Sequence, residues 1–422
     1  MMFWGGAVLT GIVAVGFAKG SDHAQSWFHA LAQSRQWYFW VIPPLGFMLI
    51  SALTHRFFAE ARGSGIPQTI AALHLHAHPQ RQRLLSLRNA TGKFFLTIAS
   101  LACGASIGRE GPTVQIGASI MYSLGRWVRL PAAGLDRGLI LAGGAAGVAA
   151  AFNTPLAGVV FAIEELSRSF EHRSAGIIFV AVVLAGVTSV GLTGNYAYFG
   201  GTDSVLPGGW GWLAVPLCGV CGGLAGGLFA RCMLLVRSVV PSLSRRIPAL
   251  TPMRVALICG VLVALLGALS AGETFGTGYA QARTLVQQEG MPGPFFAVEK
   301  FAATLVSYAA GIPAGIFAPS LSVGAGLGGM LATITGLAPA ATMVVLTMAA
   351  YFAGVVQAPL TALVIVGEMI GDRSLTLPLM AAALLGRGAS SLVCRESLYQ
   401  SLAVAFMARG PRTDAPQPAA TV

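Results

Sequence analysis

The chain has 422 residues, of which 55% are hydrophobic and only 10% charged, and its mean hydropathy is +0.72. A soluble domain carries roughly a quarter of its residues as charges, so these are too few to cover a water-facing surface. The net charge of +11 comes from arginines set between apolar runs, with no basic face of interleaved aromatics, which argues against nucleic acid as a partner.

Residues 1–19 are apolar, with neither a basic leader nor a small-residue cleavage site, and predict a first membrane helix rather than a removed signal. Further apolar runs occur at 138–163, 174–194, 210–233, 253–271, 340–367 and 376–393. Each is about the ~20 residues that cross a bilayer, or slightly longer for a tilted helix. Between the apolar stretches lie Arg81, Arg83 and Arg88, then Arg126, Arg129 and Arg137, then Arg168 and Arg173, then Arg245, Arg246 and Arg254. Short basic loops of this kind mark the cytoplasmic side of a membrane protein. The cysteines Cys103, Cys218, Cys221, Cys232, Cys259 and Cys394 lie in or beside apolar segments. Cys218 and Cys221 have no second pair and read as packing, not as a metal or redox site. His74, His76 and His78 read as an interfacial loop ahead of the basic run 80–88, so no metal site is expected. The polar, Pro/Ala-rich tail 410–422 predicts disorder.

The 54 glycines cluster where apolar runs are interrupted, as in broken or closely packed membrane helices. The interruptions repeat. Gly63-Ser64-Gly65-Ile66-Pro67-Gln68 matches Gly276-Thr277-Gly278-Tyr279-Ala280-Gln281, and Pro112 to Ala118 matches Pro319 to Ala325. Pro155-Leu156 with Glu164 matches Pro359-Leu360 with Glu368. Three matches in the same order, offset by roughly 205 to 213 residues, predict a duplicated membrane unit. Repeat one covers about 37–195 and repeat two about 250–405, within one transmembrane domain at 1–409. The stretches 196–211 and 240–252 are the expected connections. Transporters built this way place the substrate on discontinuous helices at the repeat interface.

Gly108-Arg109-Glu110-Gly111-Pro112 sets a carboxylate at a glycine-flanked break, directly before a proline that suits the first turn of a helix. Free N–H groups and the positive dipole end there favour an anion. Glu110 can fill such a site itself and, once protonated, swing away to leave it to a soluble anion. The bland alternative is an ion pair of Glu110 with Arg109 at a helix end. The partner stretch Gly315-Ile316-Phe317-Ala318-Pro319 keeps glycine and proline but replaces Arg-Glu by apolar residues, suiting a helix end that offers only backbone amides. Gly104-Ala105-Ser106-Ile107-Gly108 matches a hydrolase nucleophile elbow, but without strand or histidine partner, so no enzyme is expected. The glycines of 324–329 follow no strand, which excludes a dinucleotide fold.

Gly63 to Pro67, Gly108 to Pro112 and Gly315 to Pro319, together with Ala151 to Gly158 and the following Ile163-Glu164-Glu165, resemble the CLC family of chloride channels and proton-coupled chloride antiporters over about 40–405. The resemblance implies an all-α membrane fold of about eighteen tilted and broken helices in two inverted repeats. It implies a homodimer in the lipid bilayer of the cell inner membrane, with chloride as substrate, protons as counter-substrate and no cofactor. Ser64 and Tyr399 would give hydroxyls to the anion, with the amides of Ile316 and Phe317. Glu110 would be the gate and proton acceptor, and Glu165 the inner proton-transfer glutamate, with a solvated cytoplasm-facing position as the alternative for Glu165. Ser64 leans towards chloride over fluoride, and a passive channel of the same architecture stays open.

Overall fold

The computed structural model describes residues 2–35, 37–127, 135–168, 172–202, 204–372 and 374–408. Arg129, the side chain of Arg173 and the tail 410–422 lie outside the described residues. Among the described residues there are helices and connections but no strands. The first half contains α1 (Met2–Ser34), α2 (Tyr38–Phe57), α3 (Ile66–His74), α4 (His78–Leu84), α5 (Leu87–Ala102), α6 (Glu110–Trp127), α7 (Leu135–Phe152), α8 (Pro155–Phe161) and α9 (His172–Thr193). After α10 (Ala214–Arg246) come α11 (Pro252–Leu269), α12 (Tyr279–Gln287), α13 (Phe296–Ala309), α14 (Phe317–Thr335), α15 (Ala340–Val356), α16 (Pro359–Ile370), α17 (Thr376–Ser390) and α18 (Leu398–Met407).

Proline sets many of the helix starts: it occupies one of the first two positions of α3, α4, α8, α11 and α16, where its missing N–H costs nothing. The apolar runs 138–163 and 340–367 are therefore not single spans. Each breaks ahead of its proline, after Asn153 (φ 57°) and Gln357 (φ 61°), with Thr154 (φ −127°, ψ 78°) and Ala358 (φ −126°, ψ 83°) in matching non-helical conformations. Three other expectations are also corrected. α1 continues past residue 19 to Ser34, and α10 runs through 240–246 with Pro241 inside it. His74 ends α3 while His78 starts α4, so the three histidines do not share one loop.

Seven described helices are long and apolar enough to cross a membrane. α7 and α15 hold equivalent places in the two repeats and are buried nearly all round, as helices apolar on every face must be. α9 and α11 instead turn Val187 and Leu269 outward, on helices whose composition suits lipid. The repeats meet about a two-fold relation: Gly108 pairs antiparallel with its equivalent Gly315. These two matching segments therefore run in opposite directions where they meet, as an inverted repeat requires.

Candidate functional site

The interrupted segments bring helix starts together between the repeats. Gly108 N donates to Gly315 O at 2.6 Å, holding the start of α6 beside the start of α14. The approach is close enough that a Cβ on Gly108 would lie 3.0 Å from Pro319 Cδ and strike the Glu110 carboxylate, while one on Gly315 would strike Gly108 O. Glycine at both positions is a packing requirement. The same holds for Gly65 and Gly111, where α3 meets α6: a Cβ on Gly65 would stand 2.5 Å from Gly111 O, and Gly65 has φ 114° besides.

The loop carrying Ser64 is fixed by named bonds. Gln68 Oε1 accepts from Gly65 N at 3.0 Å, and its amide donates to Arg62 O at 2.7 Å. Buried Lys93 donates to Gly63 O at 2.7 Å, and Gly63 exchanges backbone bonds with Ile312 and Ala314 of repeat two. Lys300, also buried, donates to Thr274 O and Gly276 O, so each repeat holds its Gly-x-Gly loop with a lysine. Ser64 is only 2% exposed and its hydroxyl has no protein partner.

Glu110 opens α6 and reaches across to α14, where its Oε2 accepts from Ala318 N at 3.3 Å. A carboxylate therefore lies at the N-terminus of α14, whose cap and first residue are Ile316 and Phe317. Its other oxygen, Oε1, has no protein partner. Arg109 does not form the ion pair with Glu110 that the adjacent charges allow. Its Nη1 bonds Asp22 Oδ1 at 2.6 Å and Ala18 O at 2.7 Å, tying α1 to the start of α6.

Glu165 lies in a π-helical turn at Ala162–Ser167, a helix irregularity frequent at functional sites. It is 1% exposed, which rules out the solvated position weighed for it. Its Oε1 accepts from Ser397 Oγ at 3.3 Å and its carbonyl from Gln400 Nε2 at 2.8 Å, while Oε2 is unpartnered. Ser397 and Gln400 bracket Tyr399, whose buried hydroxyl also lacks a protein partner and feels the charges of Glu165 and Glu110. The neighbouring Glu164 faces elsewhere: it caps α16 by accepting from Leu360 N and Thr361 N at 3.2 and 2.6 Å. Glu368 returns the contact, accepting from Leu156 N and Ala157 N of α8 at 3.1 and 2.7 Å.

A cavity of about 90 Å³ ends on this site, lined among others by Arg62, Ser64, Gln68, Arg237, Tyr308 and Phe406. Arg83, one of the basic-loop arginines, donates to Phe406 O and pairs with Glu60, so the cavity opens at the arginine-rich end of the molecule. Ser106 of the hydrolase-like pattern bonds Thr304 Oγ1 at 3.1 Å and, through its N–H, Ser307 Oγ at 3.0 Å, linking the loop before α6 to α13. No cluster of three or more His, Cys, Asp or Glu placed to hold a metal occurs among the described residues.

A family model described as voltage gated chloride channel matches residues 46–391. The chain belongs to that family. The H(+)/Cl(-) exchange transporter ClcA of Cronobacter sakazakii (strain ATCC BAA-894) is 30% identical over 439 residues, covering 95% of this chain and 88% of the relative. ClcA of Yersinia pestis is 29% identical over 434 residues, covering 95% and 86%. Among solved structures, a slow cyanobacterial Cl-/H+ antiporter superposes with a TM-score of 0.84 at 25% identity, covering 97% of this chain and 98% of that one.

Sequence reasoning did not find Asp22 as the partner of Arg109, the paired lysines, the reciprocal caps of Glu164 and Glu368, or Tyr198 near Glu110. Lys93 and Lys300 carried a usable signal, since they fall at corresponding positions of the two repeats, each beside an apolar helical stretch. Asp22 and Tyr198 carried none, because only the folded chain brings them to the site.

Proposed function

We propose that this protein is a proton-coupled chloride antiporter of the cell inner membrane, working as a homodimer with a pore in each subunit. The observation that carries the reading is a set of buried polar atoms without protein partners on four residues, Ser64, Glu110, Glu165 and Tyr399. Two hydroxyls and two carboxyls left this way suit an ion and a proton as their missing partners, because a buried polar group without a bond is costly. The printed names of the relatives, H(+)/Cl(-) exchange transporters, support the same ion pair.

In this reading chloride enters from the arginine-rich end, past Arg62 and Arg237, to the hydroxyls of Ser64 and Tyr399. The first amides of α14, at Ile316, Phe317 and Ala318, attract whichever anion stands before them. Glu110 now occupies that place through Ala318 N. A chloride ion and the Glu110 carboxylate compete for the same positive helix end. Protonation removes the charge that holds Glu110 there, so proton uptake and anion entry become linked. Glu165, anchored to the start of α18, relays the proton from the cytoplasmic side, while Gly108, Arg109, Gly111, Pro112, Gly315 and Pro319 hold the geometry. Hydroxyls and backbone amides hold an anion more weakly than a fixed cation would, which suits release.

Glu110→Gln tests this directly in proteoliposomes. The amide carries no charge to gain or lose, so anion flux continues while chloride-driven proton movement disappears. Proton coupling equal to that of the unmodified protein would remove Glu110 from the mechanism.

A further inference from the structure

Two buried polar atoms on the Asp22 side of the site stand without protein partners, Glu110 Oε1 and the Tyr198 hydroxyl. Glu110 is 1% exposed and Tyr198 2%. Tyr198 lies in the connection between α9 and α10, outside any helix, and this connection is fixed by Phe199 N donating to Met369 O at 2.9 Å. Its ring meets Phe152 edge-on at 5.3 Å and Tyr279 at 4.7 Å. Phe152 in turn packs on Phe317, the first residue of α14, at 5.0 Å. Tyr198 is therefore one aromatic layer away from the helix end that now holds Glu110. The charged and titratable groups acting on its hydroxyl are Arg109, Glu110, Asp22 and Tyr279. Of these, Arg109 is already committed to Asp22 and Ala18. Asp22 has a side chain 61% exposed, so this end of the site lies close to water.

A buried polar atom without a protein partner gains free energy by finding one, and the Glu110 carboxyl and the Tyr198 hydroxyl can each supply what the other lacks. We infer that the Tyr198 hydroxyl receives the Glu110 carboxyl when it leaves the α14 N-terminus, and so sets how much of the time the anion path is open. This rests on the antiporter reading above. The neutral carboxyl donates its O–H to the phenol oxygen, no covalent bond changes, and Tyr198 acts as a positioning residue, not as a proton carrier.

The test is Tyr198→Phe, which removes one oxygen and keeps every ring contact, reconstituted with Glu110 intact and again in a Glu110→Ala background. With Glu110 present, coupled chloride/proton turnover should fall roughly three- to tenfold, the worth of one buried hydrogen bond. With Glu110→Ala there is no carboxyl to receive, so anion flux in the double variant should equal that of Glu110→Ala alone. Unchanged turnover with Glu110 present overturns the proposal. So does an equal fall in both backgrounds, which would assign Tyr198 to pore structure or to Arg109. Proton coupling that survives in Glu110→Ala itself defeats the antiporter reading and this inference together. Loss of coupling there with a silent Tyr198→Phe defeats this inference alone.

Discussion

An alanine at Gly108 places one carbon against the Glu110 carboxylate and another close contact at Pro319 Cδ, 3.0 Å away. Because Pro319 sits in the first turn of α14, the contact cannot be relieved by rotating a flexible side chain. Gly108→Ala should lower transport in proteoliposomes at least tenfold and destabilise the solubilised protein by roughly 1–3 kcal/mol, as overpacking does. Gly5→Ala, whose Cβ would meet nothing within 4 Å, is the control and should behave as the unmodified protein. Transport by Gly108→Ala at the control rate would refute the account of the glycine motif. Lys93 gives a second residue-scale expectation. Its amino group is buried and donates to Gly63 O, so Lys93→Met removes one of that carbonyl's two donors and leaves only Ala314 N. Thermal unfolding should show a loss of roughly 1–3 kcal/mol, and an unshifted midpoint would contradict it. Ser64 belongs at this scale too: Ser64→Ala should change the preference among chloride, nitrate and fluoride while leaving the fold intact. Identical selectivity would argue against a hydroxyl at the anion.

At the scale of elements, the short helices α8 and α16 hold each other. Glu164 at the end of one arm caps α16, and Glu368 at the end of the other caps α8. A carboxylate on a helix N-terminus satisfies orphan N–H groups and complements the dipole, worth about 1 kcal/mol. Glu368→Ala should therefore lower the unfolding midpoint of the solubilised protein, and Glu164→Ala should do so by a similar amount. A cost confined to one of the two would refute the reciprocal reading. The sequence already displayed the matching Pro-Leu and Glu pairs, because a repeat preserves spacing. It could not display that each glutamate serves the other repeat, since that depends on how the two halves face. The same limit explains the misplaced ends. Asn153 and Gln357 adopt left-handed conformations inside runs that look uniformly apolar. Conversely, Pro241 removes a single donor near the end of a long helix, and α10 continues past it.

For the whole molecule, composition announced a membrane protein, and glycine-proline breaks in register announced a duplicated one. The antiparallel pairing of Gly108 with Gly315 agrees with an inverted relation, and the family model described as voltage gated chloride channel matches residues 46–391. Glu110 was readable because a lone carboxylate at a helix break is conspicuous. Its neighbours Tyr198 and Asp22 were not, because they come from a polar connection and from α1, far away in sequence. Chloride and protons move through one mechanism in the proposed antiporter. The most direct measurement imposes a chloride gradient across proteoliposomes containing the purified protein, with no proton gradient at the start, and records internal pH. Protons should be driven against the direction of chloride flow, and Glu110→Gln should abolish this movement. Chloride flux with no accompanying change in internal pH would contradict it and leave a passive anion channel.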